Sequence, residues 1–431
     1  MESKINEQRI FNAICLALVV AAFTFAIRAN LLGTLGKEFG LTPIELGRVA
    51  SAAFWGFTIA MFAGGSLCDL IGLKKMYILA FLGHASGILL TIYSQGYISL
   101  FISTLLIGLG NGFIESASYT LISSLYSDDK TRKLSSWHIW FPAGIMIGGL
   151  LAFFLTWMNL NWKFHMAIML PPTLIYGVML YNQKLPKSER IILGVSNKEM
   201  IKACFKPLFI FMIFCMFLTS ATELGTNQWI AELLSTVGVP SILLLVFING
   251  IMTIGRANTR FMLKKFSITN LLLFSAVFSF IGLVWLGNTQ GYMTFAAAGI
   301  FAIGICYFWP TMIGFVSETM PKTGPLGLSL MGGVGLLSTA LIQPYFSEIY
   351  YSQLTSNIPV GVNPELLKNA IAGTEAAGLW EQVKLVAGAN TLLYVSILPA
   401  ILIVAFTILH FFMNVEKPGF SQTMDKTHQN S

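Results

Sequence analysis

Twelve times between Ile10 and Met413 the sequence runs for about 20 residues with almost no charge. About 20 apolar residues in a helix are what is needed to cross ~30 Å of hydrocarbon. Repetition of that unit limits the fold more than any other feature of the chain. The runs are continuously apolar rather than alternating, so they predict helices and not the strands of a barrel. Charged residues make up 10% of the chain, far below the roughly 25% usual for soluble domains. An all-α integral membrane protein with twelve transmembrane helices is expected.

The spans are expected at 10–33, 46–67, 76–95, 97–125, 134–158 and 163–182, then at 207–234, 239–262, 268–287, 291–316, 326–347 and 388–413. One polar, basic stretch separates two equal sets. The expected organisation is an N-terminal six-helix half (1–183), a cytoplasmic central loop (184–206), a C-terminal six-helix half (207–413) and a cytoplasmic tail (414–431). With the N-terminus inside, 20 Lys and Arg fall in inner segments and five in outer ones (Lys37, Arg48, Lys163, Lys368, Lys384). That bias places both termini in the cytoplasm of a multi-pass protein of the cell inner membrane. The net charge of +7 therefore reads as an orientation signal and not as a nucleic-acid footprint.

The five cysteines (Cys15, Cys68, Cys204, Cys215, Cys306) include no C-x-x-C pair, so no disulfide framework or metal site is expected. The first apolar run is too long for a removable signal peptide. A long outer loop is expected at 347–388, with Asn363-Pro364-Glu365 starting a short helix, Asn as cap and Pro at its first position.

Ionisable residues inside spans need a reason, because burying each in hydrocarbon costs at least ~2.5 kcal/mol. Three stand out: Arg28, Glu115 and Glu223. Arg28 either snorkels to the outer surface or, with Asn30, lines a polar passage. Asn111, Glu115 and Tyr119 recur at i, i+4 and i+8 and so share one helix face. A carboxyl held out of water can load and release a proton near neutrality, which suits Glu115 for proton coupling. His138 lies at a similar depth on the next helix, so Glu115 and His138 are the expected relay. Glu223 is followed by Asn227, Gln228 and Trp229. Amides both donate to and accept from hydroxyls, and an indole covers the apolar side of a sugar ring, so this block is the expected substrate site. Counting residues from span centres puts Arg28 and Glu223 at one level, where they are expected to form an ion pair between the halves. Gln343 and Trp309-Pro310 are further candidate lining residues, whereas His84 and His165 are expected to be structural. No catalytic triad, metal cluster or phosphate loop stands at usable spacing, so an enzyme is not expected.

Between the second and third runs lies GGSLCDLIGLKK, Gly64 to Lys75. Gly65, Leu67, Asp69, Gly72, Lys74 and Lys75 reproduce G-x-L-x-D-x-x-G-x-K-K, which resembles the loop-2/3 signature of the major facilitator superfamily. The Lys-Lys pair recurs 190 residues later at Lys264-Lys265, as does Gly65 at Gly255, while Thr259 stands where Asp69 would. That echo fits two halves related by an axis along the membrane normal. The Asn111/Glu115 stripe, the start of span 5 (WHIWFPAG) and the Glu223–Trp229 block are similar to the sugar-uptake branch that includes fucose and glucose permeases.

The resemblance implies an alternating-access symporter that imports a small polyol. Its driving force would be a proton gradient, with sodium as the alternative ion and no cofactor. It implies a span-4 carboxylate coupled to protons, matched here by Glu115. It also implies a span-1 carboxylate, where this chain has Arg28. The expected site is therefore Arg28, Asn30, Asn111, Glu223, Asn227, Gln228, Trp229 and Gln343 for substrate, Glu115 and His138 for protons, and Gly65, Asp69, Gly72, Lys74 and Lys75 as a gating loop. The expected protein is a monomer in the lipid bilayer carrying a small-molecule substrate, with no nucleic acid. Two alternatives stand beside it. One is a carboxylate or inorganic-anion carrier using Arg28 and Arg256, the other a membrane sensor that binds without transporting.

Overall fold

The computed structural model describes residues 6–126, 130–181, 183–186, 197–234, 242–371 and 373–416. Among these the chain is helical almost throughout and contains no strand. Eleven helical segments are long and apolar enough to cross a membrane, and the shorter Ile242–Ala257 completes twelve. The spans are numbered here 1 (Glu7–Glu38), 2 (Pro43–Gly65), 3 (Leu73–Ile92), 4 (Tyr97–Ile122), 5 (Ser136–Trp157) and 6 (Trp162–Tyr181). The second six are 7 (Pro207–Ile230), 8 (Ile242–Ala257), 9 (Ile268–Leu286), 10 (Met293–Val316), 11 (Leu326–Ser356) and 12 (Glu375–Met413).

Local sequence explains where the helices begin. Thr42 caps span 2 in a reciprocal capping box with Glu45, and Pro43 occupies the first turn, where its missing N–H costs nothing. Ser267 caps span 9 through the Asn270 N–H. Gly72 alone separates the helix that holds span 2 from span 3, at φ 83°, a conformation that glycine adopts without strain. Asn363 and Pro364 start the short helix Pro364–Lys368 as the sequence predicts. The flanking loop is shorter than expected, because the helix of span 11 runs to Ser356 and that of span 12 begins at Glu375. Beyond the bilayer a helix need not be apolar, so hydropathy alone undercounts its length.

Each half packs through close helix contacts. Spans 2 and 4 approach so tightly that a Cβ on Gly108 would lie 2.0 Å from the Ala53 carbonyl. Small residues permit such contacts between membrane helices. The halves meet along spans 2 and 11, 5 and 8, and 1 and 7. At the end away from the Lys74-Lys75 turn, the Ser347 hydroxyl donates to the Pro43 carbonyl and joins spans 2 and 11. Nearer that turn, Met61 and Phe62 of span 2 pack on Gly332 and Gly333 of span 11.

Candidate functional site

Among the described residues the buried Glu and Arg side chains are Arg28, Glu115, Glu223 and Arg256. In the first half, span 4 carries Glu115 and Tyr119 one turn apart, and the Tyr119 hydroxyl donates to Glu115 Oε1 at 2.8 Å. The same hydroxyl lies 2.7 Å from His138 Nε2, at the start of span 5. Glu115 and His138 thus do not touch but share Tyr119. The expected stripe holds for Glu115 and Tyr119. No Lys or Arg pairs with Glu115 among the described residues.

In the second half, Glu223 Oε1 and Arg256 Nη2 form an ion pair at 2.6 Å, both side chains almost fully buried. The expected Arg28–Glu223 pair does not form. The error has a physical cause: residues 221–225 make a π turn, and level counting assumes unbroken α-helix. The wider turn, of a kind frequent at functional sites, leaves Glu223 facing span 8 and Gln228 facing span 1.

Arg256 has a second anchor that follows from the sequence. Span 10 is broken, with helix to Ile305 and again from Phe308. Pro310 has no N–H, so the carbonyl four residues before it, that of Cys306, has no helical donor. Arg256 Nε supplies one at 3.1 Å. The guanidinium also stands within electrostatic reach of Tyr119 and His138 in the other half, and the Trp309 indole faces Tyr119. The two polar clusters are therefore neighbours across the interface.

Arg28 is buried. Its Nε donates to the Thr24 carbonyl at 2.9 Å and its Nη2 to Gln228 Oε1 at 3.4 Å. Gln228 Nε2 in turn donates to the Phe25 carbonyl at 3.2 Å, so spans 1 and 7 interlock. Asn30 does not share the Arg28 face. It donates to Thr156 of span 5 at 3.4 Å. Asn111 is held inside the first half: its Oδ1 accepts from His84 Nε2 at 2.8 Å and its Nδ2 donates to Thr24 at 3.1 Å. His84 Nδ1 then accepts from Tyr176 at 3.0 Å, which agrees with the structural role expected for His84. Trp229 is also engaged, its Nε1 donating to Gln343 Oε1.

Buried side-chain polar atoms without a hydrogen-bond partner occur in both halves. Those of spans 7, 8, 10 and 11 include Glu223 Oε2, Asn227 Oδ1, Asn249 Oδ1, Trp309 Nε1 and Gln343 Nε2. Buried polar groups are normally satisfied, so these unmet donors and acceptors are candidate contacts for a polar solute or water. Of the gating-loop residues, Gly72 makes the turn, Gly65 approaches Ser329 of span 11, and Lys74 and Lys75 are exposed. The Asp69 side chain lies outside the described residues.

Sequence reasoning missed three functional candidates. Tyr119 was visible in the stripe but carried no assigned role. Arg256 stood only in an alternative. The Cys306 carbonyl was signalled by Pro310 alone.

The sequence matches the Major Facilitator Superfamily profile over residues 14–343. It is 30% identical over 112 residues to Protein TsgA homolog of Buchnera aphidicola, covering 25% of this chain and 29% of that one. It is 22% identical over 238 residues to the gentisate transporter of Corynebacterium glutamicum (51% and 52% covered). It is 28% identical over 96 residues to the D-galactonate transporter of Escherichia coli (22% and 22%). The chain thus spans about half or less of the length of the curated relatives it matches. Solved structures with the same fold include a D-xylose-proton symporter, with TM-score 0.67 and 16% identity over 89% of this chain and 96% of that one. A bacterial homologue of the human lysosomal transporter Spinster, inward-facing and unoccupied, gives TM-score 0.75 and 13% identity over 94% and 97%.

Proposed function

The chain belongs to the Major Facilitator Superfamily, and from that premise we propose that it imports a sugar or sugar derivative by proton symport through alternating access. The observation that carries the reading is the partly buried chain Glu115–Tyr119–His138, with the unpartnered polar atoms of spans 7, 8, 10 and 11. Ionised Glu115 accepts the Tyr119 hydroxyl proton, and the Tyr119 oxygen then accepts from a protonated His138 Nε2. A proton reaching His138 Nδ1 releases the Nε2 proton to Tyr119, whose own proton passes to Glu115. Three groups thereby move one charge without a mobile water.

Substrate hydroxyls meet Asn227, Asn249, Gln343 and the free oxygen of Glu223, with Trp309 between them and Tyr119. Arg28, Gln228 and Trp229 act from behind, by holding span 7 against spans 1 and 11. Loading both ligands favours the opposite-facing state, and only such differential affinity shifts the equilibrium. Gly65, Asp69, Gly72, Lys74 and Lys75 serve as a latch on the cytoplasmic side of an inner-membrane monomer.

The similarity to a D-galactonate transporter supports a sugar derivative as cargo and, because galactonate is a carboxylate, supports an organic acid as well. One observation favours the carboxylate reading: Arg28 has no acidic partner among the described residues. Against it, Arg256 is already neutralised by Glu223. Uptake by proteoliposomes tests both readings. A pH gradient should drive concentrative uptake of a neutral sugar, and Glu115→Gln should end accumulation while leaving counterflow. Uphill uptake by the variant would move the proton site elsewhere. Competition by uronates but not by neutral sugars would transfer the reading to an organic acid.

A further inference from the structure

We infer that the protein holds a small inorganic anion, of chloride size, against Arg28 in a small cavity lined mainly by the first half. A guanidinium stays protonated in proteins, and an unpaired buried charge is among the costliest things a fold can contain. Arg28 is 7% exposed. Its two hydrogen bonds go to neutral acceptors, the Thr24 carbonyl and Gln228. The rings of Phe25 and Phe54, 5.7 and 5.9 Å from the guanidinium carbon, offer only their π faces. The two buried glutamates are engaged elsewhere, Glu223 with Arg256 and Glu115 with Tyr119. Nη1 is buried with no partner at all.

Arg28 also lines a cavity of about 20 Å³. Its wall comes from spans 1, 2, 3, 4 and 6, and Gln228 is the one contribution from the second half. Thr104 is the hydroxyl residue of its wall available to an ion, since the Thr91 hydroxyl already donates to the Gly87 carbonyl, and Leu32 and Met166 add apolar surface. The space admits one water-sized or halide-sized occupant and is far too small for a sugar or a sugar acid. A water there would leave the guanidinium charge uncompensated. An anion compensates it, and by fixing Arg28 it also fixes the Arg28–Gln228 contact between spans 1 and 7. The site is thus a resident counter-ion position, separate from the substrate cluster and independent of proton coupling at Glu115.

Thermal unfolding of the purified protein at constant ionic strength tests the inference, with methanesulfonate replaced stepwise by chloride or bromide. The midpoint should rise saturably with either halide, as for any ligand that binds only the folded state. Arg28→Gln should abolish the rise. Thr104→Val should weaken the apparent halide affinity about tenfold, the loss of one hydrogen bond to an ion. Arg48→Gln, a span-2 residue outside the cavity, should respond as the parent does. Crystals grown with bromide should show an anomalous peak inside the cavity, which decides the matter even if Arg28→Gln fails to fold. An equal halide response in Arg28→Gln, or no response in the parent, overturns the inference. A midpoint raised by glucuronate and not by halides, and lost with Arg28, also overturns it and assigns Arg28 to an acidic substrate.

Discussion

Glu115 and Glu223 are both buried in membrane-spanning helices, one in each half, yet they neighbour opposite kinds of partner. Glu223 is held by a guanidinium at 2.6 Å, and that guanidinium is pinned to the Cys306 carbonyl. Glu115 is held by a phenol, and the phenol by an imidazole. The first arrangement compensates a charge permanently. The second compensates it only while a proton can arrive. On the proposed reading the same side chain serves as a fixed strut in one half and as a loadable site in the other, and the surroundings alone make the difference.

The harshest test removes each carboxylate charge in turn. Glu223→Gln strands Arg256 as an unpaired buried cation, so it should lose about 3–5 kcal/mol of stability, read as a fall in the unfolding midpoint in detergent. Removing both charges with Glu223→Gln and Arg256→Met should recover most of that loss, because a buried pair adds little net stability over apolar replacements. Glu115→Gln should leave the midpoint within about 1 kcal/mol of the parent, since an amide still accepts from Tyr119, while concentrative uptake disappears. Equal stability losses for the two glutamates would erase the distinction between strut and proton site.

Most of the helical architecture was legible in the sequence, since hydropathy needs no knowledge of contacts. Arg28, Glu115 and Glu223 stood out for a related reason: charge inside a span is too costly to be incidental, and all three side chains are buried. Partner choice was not legible. Level counting matched Arg28 to Glu223 and failed because the π turn at 221–225 leaves Glu223 facing span 8 and Gln228 facing span 1. Asn111 was grouped with Glu115 by spacing, yet His84 and Thr24, one turn deeper in the half, engage its amide. Periodicity identifies a face of a helix but not which neighbour covers it.

A finer cut separates the bridge from the carboxyl it serves. Tyr119→Phe keeps the ring and removes the hydroxyl, so Glu115 and His138 lose their shared contact. Losing a hydrogen bond to a charged acceptor costs about 1.5–3 kcal/mol. If that cost falls on the proton-transfer step, turnover should drop about 10- to 100-fold, with accumulation slowed and not abolished. Stopped-flow uptake with a pH-sensitive dye inside vesicles would measure it. A rate equal to the parent's would mean that protons reach Glu115 without Tyr119.

The mildest perturbation acts on the strut through the backbone. Pro310→Ala restores an N–H opposite the Cys306 carbonyl, and that donor then competes with Arg256 Nε for a single acceptor. Proline inside a helix is disfavoured by about 3 kcal/mol relative to alanine, so the variant should be at least as stable as the parent. The closed break should make Arg256 rely on Glu223 alone and hinder the bending of span 10. Turnover should then fall by about threefold, a cost of the kind that stabilising changes impose where function needs a strained element. Infrared or nuclear magnetic resonance signals of a labelled Cys306 carbonyl would show whether its donor has changed. If the carbonyl keeps Arg256 as its partner and turnover is unaltered, the second half owes its rigidity to the ion pair and not to the broken helix beside it.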